Sequence, residues 1–199
     1  MQFKITKDFN EYKKLFLEEN SKHNLISKND EKFLYEKHIY DSLAIKLFFD
    51  KYNIQKAKIL DIGCGGGFPC LPIAIEFPEF DITGIDSIRK KITSVETISK
   101  SLKLNNIELI ADRAENLTTK YDIVVSRAVA NMTKICEFAL PLVKKDGFFI
   151  AYKSKKALEE LENAKSILKK YNSKVIDIIE YNLPLEEVYE RNLVCVRKF

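Results

Sequence analysis

The sequence predicts an α/β fold: a Rossmann-like, seven-stranded, mostly parallel sheet with helices on both faces, preceded by an N-terminal helical extension. Three observations carry this. From about residue 51 the 199-residue chain alternates short apolar runs with amphipathic segments, the pattern of a parallel sheet covered on both sides. The stretch Lys58–Pro72, KILDIGCGGGFPCLP, reads as a buried strand, a glycine turn and a helix, with a ligand held against the turn and the helix N-terminus. Finally, successive apolar runs end on Asp61, Asp86 and Asp112, on the rim where open α/β sheets bind ligands.

Residues 8–48 read as helical. Phe9, Tyr12 and Phe16, then Tyr35, Ile39, Leu43 and Leu47, recur at helical spacing, so each segment offers one apolar face. Asn20–Ser27 between them is polar and irregular, and Asn29 or Asp30 suits the cap of the next helix. His38, Asp41 and Ser42 share a face distinct from the Tyr35 stripe; a local His38–Asp41 hydrogen bond on a docking surface and a functional site are both open.

Strands are expected at 58–62, 80–85, 107–111, 121–125 and 148–152, and helices at 70–77, 88–103 and 131–143. The last helix should stop at the basic turn and glycine of Lys144–Gly147. A charged amphipathic helix over 155–170 carries Leu158, Leu161, Ile167 and Leu168. Strands 174–182 and 192–197, joined through Pro184, suit an antiparallel pair. Residues 1–50 form an extension packed on a core of residues 51–199.

Composition sets outer limits. Hydrophobic residues make up 46% and charged residues 31%, with a net charge of +4; this balance permits a nucleic-acid partner without demanding one. Cys64, Cys70, Cys136 and Cys195 lack metal-ligand spacing and read as small buried residues of a reduced compartment, with no metal. The N-terminus lacks a signal-like apolar core and no run reaches spanning length, so a cytoplasmic protein without a membrane partner, and a monomer, is expected.

The residues gathered on the rim are Gly63–Phe68, Asp86, Ser87, Arg113–Glu115, Ser126, Arg127 and Lys153. Gly63-x-Gly65-x-Gly67 is shorter than the dinucleotide fingerprint, and no Lys-Ser/Thr follows as a phosphate loop requires. Asp86 is placed to accept ribose hydroxyls. No nucleophile triad, acid pair or metal cluster accompanies it. Methyl transfer from an activated sulfonium needs little beyond positioning and a dry site, and these strand ends resemble the class I S-adenosylmethionine-dependent methyltransferases. Arg127 and Lys153 suit a phosphate or a guanine O6. For Lys153 a solvated charge or an ion pair to Asp61 or Asp122 is equally open, and losing the Arg127 side chain is expected to leave the fold intact.

The ordered set Asn24-Leu25-Ile26-Ser27, His38-Ile39-Tyr40-Asp41-Ser42, Asp61–Pro69, Asp86-Ser87, Arg113-Ala114-Glu115, Ser126-Arg127-Ala128, Lys153 and Arg191-Asn192-Leu193-Val194 resembles the RsmG (GidB) family over nearly the whole chain. That family comprises bacterial 16S rRNA guanine-N7 methyltransferases. The resemblance implies S-adenosylmethionine as cofactor, contacted by Gly63, Phe68, Ala114 and Glu115 together with Asp61, Gly65, Gly67, Asp86 and Ser87. It makes Arg127, near both cofactor and substrate, and Lys153 the expected catalytic residues, and places Lys153, His38, Asp41 and Arg191 along the RNA. The partner it implies is 16S rRNA or a small-subunit precursor.

The sequence departs from the family at Ser21, where a Trp is usual, and at Ile26, Cys70 and Ser154. Further RNA contacts are expected from Lys22, Lys28, Arg89, Lys90, Lys155 and Lys156. A methyltransferase acting on a small molecule or a protein is the alternative. The intact glycines, Asp86 and Arg127 disfavour a binding module without catalysis, and the shortened glycine spacing disfavours a dehydrogenase.

Overall fold

The computed structural model describes residues 3–155 and 157–199, without the side chains of Ala157 and Leu158. Lys156 and the inward face expected of Leu158 therefore lie outside the described residues. Among the described residues, seven strands form one sheet in the order β3-β2-β1-β4-β5-β7-β6. They are β1 (Lys58–Ile62), β2 (Asp81–Ile85), β3 (Ile107–Ile110), β4 (Tyr121–Arg127), β5 (Val143–Ser154), β6 (Ser173–Leu183) and β7 (Tyr189–Lys198). β1 pairs in parallel with β2 and β4, as do β2 with β3 and β4 with β5. β7 runs antiparallel to both β5 and β6. The chain order reverses between β1 and β4, which opens the crevice where such sheets take ligands.

Strand alternation divides the interior into two cores. Ile59, Ile123, Val125, Ile150, Tyr152, Leu193 and Cys195 pack into one. Their neighbours Leu60, Val124, Phe149, Ala151, Val194 and Val196 pack into the other. The second core is closed by α7 (Met132–Leu142) and α8 (Ala157–Lys170). The first is closed by α5 (Cys70–Glu76), α6 (Arg89–Ser101) and the N-terminal helices. Those helices are α1 (Asn10–His23), α2 (Lys28–Glu31), α3 (Asp41–Leu43) and α4 (Ile45–Tyr52), with a π-helical turn over Leu34–Tyr40. Phe16 meets Phe68 at 5.0 Å between ring centroids, and Phe49 stacks on Phe80 at 4.7 Å. The Glu76 carboxylate accepts from the Thr6 and Lys7 amides, fixing the segment that leads into α1.

Several boundaries differ from the sequence reading for physical reasons. α2 is capped by Ser27, whose Oγ accepts from the Asp30 amide; Asn29 and Asp30 lie inside the helix. Asn20 is buried within α1, and its Oδ1 accepts from the Ile26 amide, so the polar segment after it is ordered. Lys144–Gly147 belongs to β5 and forms an irregularity where the β4 register shifts between Tyr121 and Ile123. Asp146 takes the left-handed conformation there, with φ 61°. Gly147 is needed for close approach, since a Cβ would come 2.7 Å from the Asp122 carbonyl oxygen.

Candidate active site

The glycine turn is tied to β2 by the Gly63 and Cys64 amides, which donate to the Ile85 carbonyl at 2.8 and 3.0 Å. Gly63 has φ +70°, and a Cβ there would lie 2.5 Å from Val129 Cγ2. A side chain there would meet both the left-handed backbone penalty and Val129. Asp86, just past β2, spans the turn: Oδ2 accepts from the Gly65 amide at 3.0 Å and Oδ1 from the Ile88 amide at 2.8 Å. Each oxygen keeps lone-pair capacity for a further donor.

Two cavities open along the carboxyl rim. The smaller, about 410 Å³, is bordered by Gly63, Asp86, Ser87, Ala114, Glu115 and Val129. The larger, about 710 Å³, is bordered by His38, Asp41, Gly65, Phe68, Arg127, Lys153 and Arg191 among others. Gly63 and Val129 border both, so the two spaces meet across one glycine and one valine.

Asp61 and Gly67 border neither cavity, contrary to the direct cofactor contacts expected of them. Gly67 packs inward, where a Cβ would meet Leu71 Cδ1 at 2.7 Å. Asp61 is fully buried, and its Oδ2 accepts from the Cys70 amide at 3.0 Å. It therefore occupies the α5 N-terminus that the sequence reading left for a ligand. Asp61 Oδ1 has no hydrogen-bond partner among the described residues, and desolvation raises the carboxyl to about 7. Phe68 is 4% exposed, its ring enclosed by Phe16, His38 and the Arg127 guanidinium.

Arg127 follows Val125 by two residues on β4, so its side chain leaves the sheet on the face that meets the N-terminal helices. Its Nη1 donates to Asp41 Oδ2 at 3.0 Å and to the Lys37 carbonyl at 3.1 Å. Asp41 is 4% exposed, and its Oδ1 accepts from the Tyr181 hydroxyl at 2.7 Å. His38 Nδ1 lies 3.1 Å from Arg127 Nη2. A guanidinium only donates, so Nδ1 holds the lone pair and the proton sits on Nε2. Burial, then the charge of Arg127, lowers His38 to about 4, leaving it neutral near neutral pH. The His38–Asp41 face is thus an internal junction organised by Arg127, not an exposed docking surface with a His–Asp bond.

Lys153 does not pair with Asp61 or Asp122. Its Nζ donates to the Ala130 carbonyl at 2.6 Å and to Glu160 Oε2 at 2.7 Å. Glu160 Oε2 also accepts from the Met132 amide at 2.8 Å. Lys153 and Glu160 therefore clamp the loop that carries Val129. Asp122 pairs instead with Lys144 at 2.7 Å. Sequence reasoning missed Val129, Glu160 and Tyr181, because each gains its place through a contact between distant segments, and Tyr189, which borders the larger cavity from β7.

Chemically, this rim offers a carboxylate at a strand end, an apolar-walled slot and a junction without a proton acceptor placed for catalysis. The donor set fits a nucleoside carrying an activated group, and the fold and site define a class I S-adenosylmethionine-dependent methyltransferase. Solved structures share the fold. A precorrin-6y methyltransferase from Geobacter metallireducens aligns with TM-score 0.57 and 15% identity over 76% of this chain and 85% of its own. TYW2 from M. jannaschii in complex with AdoMet aligns with TM-score 0.60 and 18% identity over 73% of this chain and 70% of its own.

At the sequence level, residues 5–189 match the family described as GidB, rRNA small subunit methyltransferase G. The ribosomal RNA small subunit methyltransferase G of Staphylococcus saprophyticus is 40% identical over 200 residues, covering 98% of this chain and 82% of its own. That of Oceanobacillus iheyensis is 40% identical over 201 residues, covering 98% and 83%. The chain belongs to the rRNA small subunit methyltransferase G family. It is an rRNA methyltransferase that uses S-adenosylmethionine.

Proposed function

We propose that the chain methylates N7 of a guanine in 16S rRNA, with the methyl donor in the smaller cavity and the target base in the larger one. The observation that carries this is the meeting of the two cavities across Gly63 and Val129, beside Arg127. S-adenosylmethionine supplies an electrophilic methyl group on a sulfonium. Asp86 and Ser87 would hold the ribose end, and Ala114 and Glu115 would flank the base, with Gly63 leaving room at the reacting end.

Guanine N7 carries an in-plane lone pair and no proton, so its methylation asks nothing of a base. His38, neutral and weakly basic, fits a role in holding Arg127. Arg127, its charge balanced by Asp41, supplies a donor edge that orients the guanine through O6. Lys153 acts through the Val129 loop, so it is a positioning residue in this reading. The N-terminal helices α1–α4 would form one wall of the RNA cleft, and the protein works as a cytoplasmic monomer on 16S rRNA or a small-subunit precursor. Mass-spectrometric nucleoside mapping of small-subunit rRNA tests the reading. Deletion should remove one N7-methylguanine that the intact chain restores; an unchanged map would refute it.

A further inference from the structure

The larger cavity, about 710 Å³, has more room than one purine fills, and its outer wall holds a pair that neither the glycine motif nor the strand ends indicate. Tyr189 opens β7 and remains 41% exposed at the cavity mouth. Arg191, two residues on and hence on the same face, places its guanidinium carbon 4.7 Å from the Tyr189 ring centroid. Arg191 is itself anchored, with Nε 3.8 Å from Asp41 Oδ1. The carboxylate that holds Arg127 thus also steadies the cation backing Tyr189. One side of the ring is covered by the guanidinium, while much of the residue stays open to solvent beside the cavity.

An aromatic ring pre-oriented by a cation at the edge of a cavity that can take a base is the platform on which proteins stack splayed-out RNA bases. We propose that Tyr189, backed by Arg191, stacks an unpaired base adjoining the target guanine. This rests on the rRNA reading above and adds a second nucleotide to the recognised unit. Stacking is sequence-tolerant, because every base presents a π-face. The platform would therefore fix the register of the RNA strand and leave the choice of target to the inner cavity.

The test is methylation of a small-subunit rRNA fragment containing the target guanine by the full chain, by Tyr189→Ala and by Tyr189→Phe. The fragment is also made with an abasic nucleotide on either side of the guanine. Tyr189→Ala should raise KM for RNA roughly 5- to 100-fold, the loss expected for one base stack. Its kcat and its calorimetric affinity for S-adenosylmethionine should stay near the parent's, and Tyr189→Phe should behave as the parent. One abasic substitution should weaken the parent to the same degree and add nothing to Tyr189→Ala. An unchanged KM for Tyr189→Ala, equal losses for Phe and Ala, or abasic penalties that add fully to the Ala variant would overturn the platform while leaving the rRNA reading intact. A parent that methylates no rRNA would overturn both.

Discussion

Arg127 and Asp41, 86 positions apart, meet at 3.0 Å between Nη1 and Oδ2 with side chains 16% and 6% exposed. This pair joins the end of β4 to the N-terminal helices. Removing one partner of a buried pair strands the other charge, which typically destabilises by about 3–5 kcal/mol. Asp41→Ala should therefore lower unfolding stability by that order in urea titration, because Arg127 loses its counter-charge and Tyr181 its acceptor. Arg127→Ala should do similar harm, which corrects the expectation that its removal spares the fold. Arg127→Lys keeps the charge but loses the planar fork. It should retain most of the stability while RNA methylation falls at least tenfold; parental turnover would confine Arg127 to a structural role.

The sequence made local features legible and left distant couplings hidden. β1, the glycine turn and Asp86 follow from contiguous residues with short-range rules. The Arg127–Asp41 junction does not, because it needs the facing of β4 and of a π-helical turn over Leu34–Tyr40, whose phase differs from the 3.6-residue repeat. Tyr181 reaches Asp41 from β6 across 140 positions, a contact set by the β6–β7 pairing. The Lys153–Glu160 clamp crosses a strand-to-helix connection, so Lys153 looks like a free rim cation in the sequence and is a tethered one in the fold.

Asp86 should contribute to donor affinity. Its carboxylate keeps acceptor capacity beyond the Gly65 and Ile88 amides, and a charge-assisted hydrogen bond is worth roughly 1.5–3 kcal/mol. Calorimetry on Asp86→Ala should show S-adenosylmethionine binding weakened by that amount. Unaltered affinity would remove Asp86 from the donor site.

Gly63 and Val129 should be coupled. In Gly63→Ala the new methyl meets Val129 Cγ2 at 2.5 Å and must also adopt φ +70°. In the double variant with Val129→Ala the nearest remaining atom of that residue is Cβ, 3.7 Å away, an ordinary contact. The double variant should recover the steric part of the lost stability and donor affinity. It should keep only the left-handed backbone penalty, about 1–2 kcal/mol. If the two losses simply add, the valine does not seat on the glycine.

His38 and Asp61 should pull stability in opposite directions with pH. His38 has its pKa lowered from 6.5 to about 4 in the fold, so the unfolded chain binds the extra proton between those values. Its contribution is present above about 6.5 and lost as pH falls toward 4. Asp61 has its pKa raised from 3.8 to about 7, so here the folded chain binds the extra proton. Its contribution is present below about 3.8 and lost as pH rises toward 7. The windows overlap and the two slopes partly cancel in the parent. Urea unfolding of the ligand-free protein from pH 4 to 7.5 should therefore give a shallow profile. Asp61→Asn should unmask stability that rises with pH through the His38 window, and His38→Gln should unmask stability that falls through the Asp61 window. The two variants should diverge by several kcal/mol across the range, since each pH unit of one-proton linkage is about 1.4 kcal/mol. Parallel profiles for the parent and both variants would mean that neither group holds its shifted protonation state.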